Sequence, residues 1–328
     1  MDSMFLSDRT QCVRVGSEFS VSSNVTSGVP QGSVLGPLLF LIFINDISFV
    51  NPNSNTKLFA DDLKVYTFIT DVSSPHVMQS FLNKIFLWSS SWQLTLSPSK
   101  CSVLSIGKHS VQHSYNINGI EINRVASMVD LGVTFDSKLT FDEHVDRICV
   151  TAKQRSALIL QSFRSRDPLL LFKAFTTFVR PLLEYASCVW NPYILSKIDQ
   201  IEAVQKRFTK RLLGLSSHSY PDRLLILNAT CLELRRLQFD LVMYYKIIHH
   251  VVDVDVNQYF LFSLNTQTRG HNFKLCKAFS RTNKAANQFK LRAIDAWNSL
   301  PSNIVNAASV FCFKRLLFRH DLSCFLRA

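Results

Sequence analysis

Long apolar runs are what this sequence most conspicuously lacks. A membrane-spanning helix needs about 18 consecutive apolar residues, and the longest run here, Leu38 to Ile44, stops at Asn45-Asp46. That length suits a buried helix or strand, so no membrane partner is expected. Met1-Asp2-Ser3-Met4 has neither the basic block nor the apolar block of a secretory signal. Eight cysteines occur, but no two form a CxxC pair and none accompanies a His-x₃₋₅-His element. A zinc knuckle is therefore not expected, and a reducing intracellular setting, nucleus or cytoplasm, is. Glycine (9) and proline (10) are too few for a low-complexity chain, and 47% hydrophobic with 18% charged residues is a globular composition.

Acidic residues are scarce in the second half. Residues 151–328 carry 26 Lys+Arg against 11 Asp+Glu, whereas residues 1–150 carry 10 against 13. The first part is mildly acidic at −3 and the second strongly basic at +15, which pairs a region suited to metal with one suited to a polyanion.

Local patterns predict an α+β chain. Residues 5–27 alternate as short strands around a Gly16-Ser17 turn. Ser33 is placed to cap an apolar helix from Leu35 to about Ile47, with Pro37 in its first turn. Lys57 to Ala60 and Leu63 to Phe68 predict a hairpin with Asp61-Asp62 at its tip. Residues 75–92 predict a helix with Val77, Phe81, Ile85 and Trp88 inward. Strands follow at 94–96 and 102–106, then a strand and turn over Leu131 to Asp136. Long helices are expected over 141–164, 168–186, 197–213 and 222–250, a loop-rich stretch over 251–290 and a helix over 291–320. The four tryptophans, 88, 92, 190 and 297, are expected in cores.

Two elements carry chemistry. Adjacent carboxylates at a hairpin tip repel one another. A divalent cation relieves this, and hard oxygen donors suit Mg²⁺. The loop Ser27-Gly28-Val29-Pro30-Gln31-Gly32-Ser33 brings backbone close to something, because glycine lacks the Cβ that would block approach.

In this order the two elements resemble the reverse transcriptase of non-LTR, LINE-type retrotransposons. Gly28-Val29-Pro30-Gln31-Gly32-Ser33-Val34-Leu35-Gly36-Pro37 looks like that family's motif B, and Phe59-Ala60-Asp61-Asp62 like its metal-binding motif C. Trp88 to Lys100-Cys101 is similar to motif D, and Leu131-Gly132-Val133-Thr134-Phe135-Asp136 to motif E, the primer grip. Arg180 to Tyr185, Ile201 to Arg207 and Ala296 to Pro301 resemble thumb and tail phrases.

The resemblance implies RNA-directed DNA polymerase activity through a two-metal Mg²⁺ site, with an RNA template, a DNA primer and a dNTP. It implies Asp61 and Asp62 as metal ligands and Lys100 as a catalytic lysine near the pyrophosphate. Gly28, Pro30, Gln31 and Gly32 would line the nucleotide and template pocket. Lys206, Arg207, Lys210 and Arg211 would form an exposed cluster opposite a buried stripe of Ile198, Ile201, Val204, Phe208 and Leu212, holding phosphates without reading sequence. Gly214 is expected to end that helix.

The implied plan is a partial palm over 1–137, a helical thumb over 138–250 and a C-terminal region over 251–328. The motif A carboxylate and fingers are expected to lie outside the chain, so the polypeptide alone is expected to be inactive or nearly so. The alternative is a non-catalytic nucleic-acid-binding remnant using the basic thumb.

Overall fold

A computed structural model describes residues 6–50, 55–71, 73–107, 113–263 and 270–327. Met1 to Met4 and Phe5, which fall in stretches read above, lie outside the described residues. The architecture is mixed, 48% helical and 12% strand, in keeping with an α+β class. The chain divides into a first unit, Met1–Val125, and a second, Ala126–Ala328. Helices of seven or more residues are labelled α1 to α8.

The first unit opens with two nested strand pairs. β1 (Thr10–Gln11) pairs antiparallel with β4 (Ser23–Asn24), and between them β2 (Arg14–Val15) pairs with β3 (Glu18–Phe19) across the Gly16-Ser17 turn. Helix α1, Gly36–Ile44, follows and tightens into a 3₁₀ turn over Asn45–Phe49, so the α-helix ends before Ile47. β5 (Asn55–Phe59) and β6 (Asp62–Tyr66) form the hairpin expected from sequence, with Phe59 opposite Asp62.

Helix α2, Ser74–Ser91, buries Phe81 and Ile85, but Val77 is exposed; Ser74 and Pro75 take the buried positions at its start. Residues 94–96 form no strand, although Leu94 and Leu96 still pack inward. β7 (Ser102–Leu104) runs parallel to β10 (Asn123–Val125), and β8 (Asn116–Ile117) turns into β9 (Ile120–Glu121). The Gln79 side chain clamps β8 to α2, its amide donating to the Asn116 carbonyl and its oxygen accepting from the Asn116 N–H, both at 2.9 Å.

The second unit begins with the hairpin β11 (Ser127–Asp130) and β12 (Val133–Asp136). Its two-residue turn, Leu131-Gly132, has φ of 45° and 82°, the left-handed pair that a type I′ turn demands. Asp136 accepts from the backbone N–H groups of Lys138, Thr140 and Phe141, each at 2.8 Å, and so sets the start of α3, Asp142–Ser162. Burial pushes its carboxyl up, but these hydrogen bonds prevail and hold it below the usual carboxylate range.

Helix α4 is Pro168–Phe178 rather than 168–186. Pro181 lacks a backbone donor, and Ala186 is left-handed with φ 52°, so the chain passes through a 3₁₀ turn at Arg180–Leu183 and a single turn at Ser187–Trp190. Helix α5 spans Leu195–Lys210. The expected helix over 222–250 is two: α6, Tyr220–Ile226, and α7, Leu232–Ile248, parted where Asn228 turns left-handed. Residues 291–320 break into short turns around Pro301 and one longer helix, α8, Val310–Leu317.

Two cores fill this unit. The first joins α3, α4 and α5 through Phe175, Phe208, Trp190 and Leu183; the second joins the later half of α7 to Trp297, Phe313 and Leu317. Where they meet, buried Asp240 takes a two-pronged bond from Arg292 (2.7 Å on each oxygen). Buried Glu202 accepts from the Leu232 and Glu233 N–H groups at the α7 N-terminus, where the helix dipole favours a carboxylate, and from the Tyr220 hydroxyl.

Candidate active site and nucleic-acid surface

The hairpin tip is defined by its register. Leu58 faces Leu63 and Thr56 faces Val65, and Leu58, Leu63 and Val65 pack on the small core of Ile44, Ile47, Phe81 and Ile85. Side chains alternate across a strand, so Asp62 shares the open face with Phe59, Lys57, Lys64 and Tyr66. The loop between the strands is only Ala60-Asp61, and Ala60 holds φ 50°, a conformation costly for a residue with a Cβ. Tight turns of this kind accumulate strain at functional sites. Both carboxylates are exposed, and no hydrogen bond or ion pair of the described residues engages them.

The glycine-rich loop is a turn with a stated chemistry. The Ser33 N–H donates to the Pro30 carbonyl at 3.3 Å, closing a turn over Gln31 and Gly32 in which Gly32 takes φ 79°. A positive φ at the third position is the mark of a type II turn and selects glycine. Ser33 Oγ then donates to the same carbonyl (2.7 Å) and accepts from the Gly36 N–H (3.0 Å), which starts α1. A Cβ on Gly36 would sit 2.8 Å from the Pro30 oxygen and 2.9 Å from Ser33 Oγ, so only glycine fits there.

Arg9 was not singled out by sequence reasoning. Its guanidinium donates to the Gly28 carbonyl at 2.5 Å and to Ser27 at 3.3 Å, tying the loop to the first strand pair. Its partners lie 18 and 19 residues along the chain, so no local pattern in the sequence marks it. Gln31 and Gly28 are exposed and Pro30 is half-buried.

The loop's helix and the aspartate hairpin thus share one core. Lys100 ends a 3₁₀ turn, Pro98–Lys100, in the same unit, with an exposed side chain. No side-chain bond among the described residues joins Lys100, Gln31 and the aspartates. The described residues also hold no group of three or more His, Cys, Asp or Glu able to bind a metal. Two exposed carboxylates do fit the way Mg²⁺ is held beside a triphosphate, by one or two acids plus phosphate oxygens and water.

In the second unit, Ile198, Ile201, Val204, Phe208 and Leu212 are all buried, at 2% exposure or less. Arg207, Lys210 and Arg211 stand exposed on the other side. Lys206 departs from the expected cluster: it is half-buried, lies 5.5 Å over the Tyr220 ring and pairs with Asp199 at 3.8 Å. The helix ends at Lys210, with Arg211 as cap, and Gly214 (φ 76°) lies in the following turn. Arg223 closes the helix instead, donating to the carbonyls of Lys206 (3.2 Å) and His218 (2.6 Å).

The β11–β12 turn borders a cavity of about 430 Å³. Arg147, Thr151 and Arg155 line it from one face of α3, with Tyr185, Phe178 and Pro181 opposite. The Tyr185 hydroxyl donates to the Leu131 carbonyl (3.1 Å) and Arg147 to that of Gly132 (2.7 Å), fixing the turn. His144 lies beneath, its Nδ1 accepting from the Thr134 N–H at 3.2 Å. Burial, aided by the charge of Arg147, pushes its pKa down to about 4.

Of the tryptophans, Trp190 and Trp297 are core, whereas Trp92 is exposed and stacks on half-buried Trp88. No described helix is long and apolar enough to cross a membrane.

Comparison with known families bears mainly on the first unit. Residues 4–135 match a reverse transcriptase (RNA-dependent DNA polymerase). The match takes in the glycine-rich turn, the aspartate hairpin, Lys100 and the Leu131-Gly132 turn. The chain is 26% identical over 222 residues to the RNA-directed DNA polymerase from mobile element jockey of Drosophila melanogaster, an alignment covering 64% of this chain and 24% of the relative. It is 28% identical over 219 residues to the probable RNA-directed DNA polymerase from transposon X-element of the same fly, again 64% and 24%. An uncharacterized protein of Caenorhabditis elegans is 30% identical over 131 residues, 38% of this chain and 66% of the relative. The chain therefore spans about a quarter of the length of the curated fly relatives it matches. No solved structure matches.

Proposed function

We propose that this chain is the palm segment, from motif B onward, and the thumb of a non-LTR retrotransposon reverse transcriptase. Its reaction would be RNA-templated addition of deoxynucleotides to a DNA primer. The observation that carries this reading is the two-residue turn that sets Asp61 and Asp62 at the tip of a hairpin, on the same core as a helix entered through a type II turn at Gln31-Gly32. Asp61 and Asp62 would hold Mg²⁺, which supplies charge stabilisation at the attacking and leaving oxygens. Gly28, Pro30, Gln31 and Gly32 would present backbone and amide groups to the incoming nucleotide and template base. Lys100 would meet the pyrophosphate. Arg207, Lys210 and Arg211 would grip the duplex backbone, with Lys206 contributing less because it is already paired.

The same geometry limits what the segment does alone. Two carboxylates suit a single Mg²⁺ but give only part of a two-metal site, for which a third acid is expected from sequence beyond the described residues. Primer extension on an RNA template with Mg²⁺ tests this. The 328-residue chain is expected to extend poorly or not at all, yet to bind the RNA–DNA template–primer. Replacing Arg207, Lys210 and Arg211 together by Glu is expected to weaken that binding at least tenfold and to flatten its salt dependence. Robust extension by the isolated chain would overturn the partial-site reading; binding untouched by the triple change would overturn the thumb assignment.

A second reading, nucleic-acid binding without catalysis, has one observation in its favour. The basic helix α5 stands on the well-filled first core of the second unit, whereas the aspartate hairpin stands on a small one. Primer extension by the chain in any metal would count against it.

A further inference from the structure

Helix α8, Val310–Leu317, lies outside the residues that match the reverse transcriptase family. Its inner side buries Phe313 and Leu317 in the second core. Its outer side carries Phe311, Lys314 and Arg315, and the capping residue Phe318 follows in helical conformation, at spacings of three, four and seven that put all four on one face. All four are exposed, Phe311 at 74% and Phe318 at 46%. Neither Lys314 nor Arg315 has an ion-pair partner among the described residues. Arg319 follows, also exposed.

Two bare phenyl rings on a helix whose other face is already buried gain nothing from folding. Each leaves apolar surface in water at about 25 cal/mol per Å². The rings stand about 10 Å apart along the axis, by the rise of seven helical residues, with two cations between them. Alternating aromatic and cationic groups are how proteins hold single-stranded nucleic acid: bases stack on rings while phosphates meet Lys and Arg. The net charge of +15 over residues 151–328 favours a polyanion on this surface. A lipid surface fits less well, since a helix of eight residues with its main apolar face buried in protein has only two rings to insert.

We infer that the outer face of α8 is a second nucleic-acid site, taking single-stranded RNA with a base on Phe311, a base on Phe318 and phosphates on Lys314 and Arg315. The inference rests on the proposed retroelement function for its choice of RNA, but the site uses none of the residues of the Asp61–Asp62 hairpin or the α5 cluster. It gives the chain a means of holding unpaired template while the thumb holds duplex.

The test is fluorescence anisotropy of a labelled single-stranded RNA 20-mer against the full 328-residue chain. Phe311→Ala with Phe318→Ala is expected to weaken binding at least tenfold, in line with about 1–3 kcal/mol per stacked base, and to leave the salt dependence unchanged. Lys314→Gln with Arg315→Gln is expected to lower the salt slope by about 1.4, at roughly 0.7 per single-strand phosphate. Circular dichroism of each variant confirms that α8 still folds, and Phe311→Trp with Phe318→Trp restores ring area and should restore binding. RNA affinity unchanged by the alanine pair would overturn the site. So would loss of binding to vesicles of 30% phosphatidylserine in phosphatidylcholine with RNA affinity intact. Template–primer duplex binding through α5 should be preserved in all these variants. Failure of duplex binding in the α5 variants' parent would instead indict the proposed polymerase role, so the two failures are distinguishable.

Discussion

The two units differ in how well each fills its own interior. In the second, Trp190, Phe175, Phe208, Trp297 and Phe313 are all buried at 2% exposure or less, and even charged Asp240, Glu202 and Arg236 are enclosed. In the first, α1 is apolar along its whole length, yet only Gly36 and Ile44 are buried. Leu38, Leu41, Ile42 and Phe43 are 40–65% exposed, and Val34 stands 95% exposed beside them. The unit that holds the proposed metal site is thus the one with the thin core, and the unit that carries the positive charge is the one that packs tightly. Exposed apolar patches of this kind mark interaction surfaces or ligand-binding grooves.

The largest expected break of this contrast is a pair of truncations. Trp297→Ala removes a fully buried ring whose indole N–H donates to the Phe273 carbonyl at 2.8 Å. It should cost about 3–5 kcal/mol in chemical denaturation. Ile42→Ala on α1, at 65% exposure, should stay within about 0.5 kcal/mol. Comparable losses at both positions would show that α1 is covered in solution and erase the contrast.

A smaller effect follows from pH. His144 is held neutral in the fold, its pKa pushed down to about 4 by burial and then by Arg147. The unfolded chain takes up that proton near the ordinary value of about 6.5, so protonation favours unfolding. The stabilising contribution is complete above about pH 6.5, declines as pH falls toward 4 and is gone below. Denaturation midpoints followed over that window should fall in the parent. They should fall less in His144→Asn, whose Oδ1 replaces the acceptor Nδ1. Some slope remains, because burial lowers the pKa of His249 and His271 too.

Much of this was legible in sequence where periodicity and turn chemistry agreed. The α5 stripe from Ile198 to Leu212 is buried residue for residue, because a 3.6-residue repeat with charges opposite admits one orientation. The aspartate hairpin was legible because apolar alternation flanks a two-residue turn. What sequence could not show was set by contacts distant along the chain. Val77 fits the inward spacing of α2, but Tyr115, Ile117 and Ile122 pack against Met78, Leu82 and Phe86 instead. The break at Asn228 hides inside an apolar stretch, and is compensated by Glu202 capping α7 from thirty residues away. Lys206 looked like its cationic neighbours until Tyr220 came to lie beneath it. Arg9, which tethers the glycine-rich loop, carries no local pattern at all.

Paramagnetic NMR tests most directly whether the aspartate pair is a cation site. Titrating the ¹⁵N-labelled chain with Mn²⁺ should broaden the amide signals of Ala60, Asp61, Asp62 and Leu63 first, with Mg²⁺ in excess reversing the effect. Asp61→Asn with Asp62→Asn should abolish the broadening while leaving the rest of the spectrum in place. Broadening that is absent at the hairpin, or that persists unchanged in the double variant, would contradict the claim that this turn is where the metal binds.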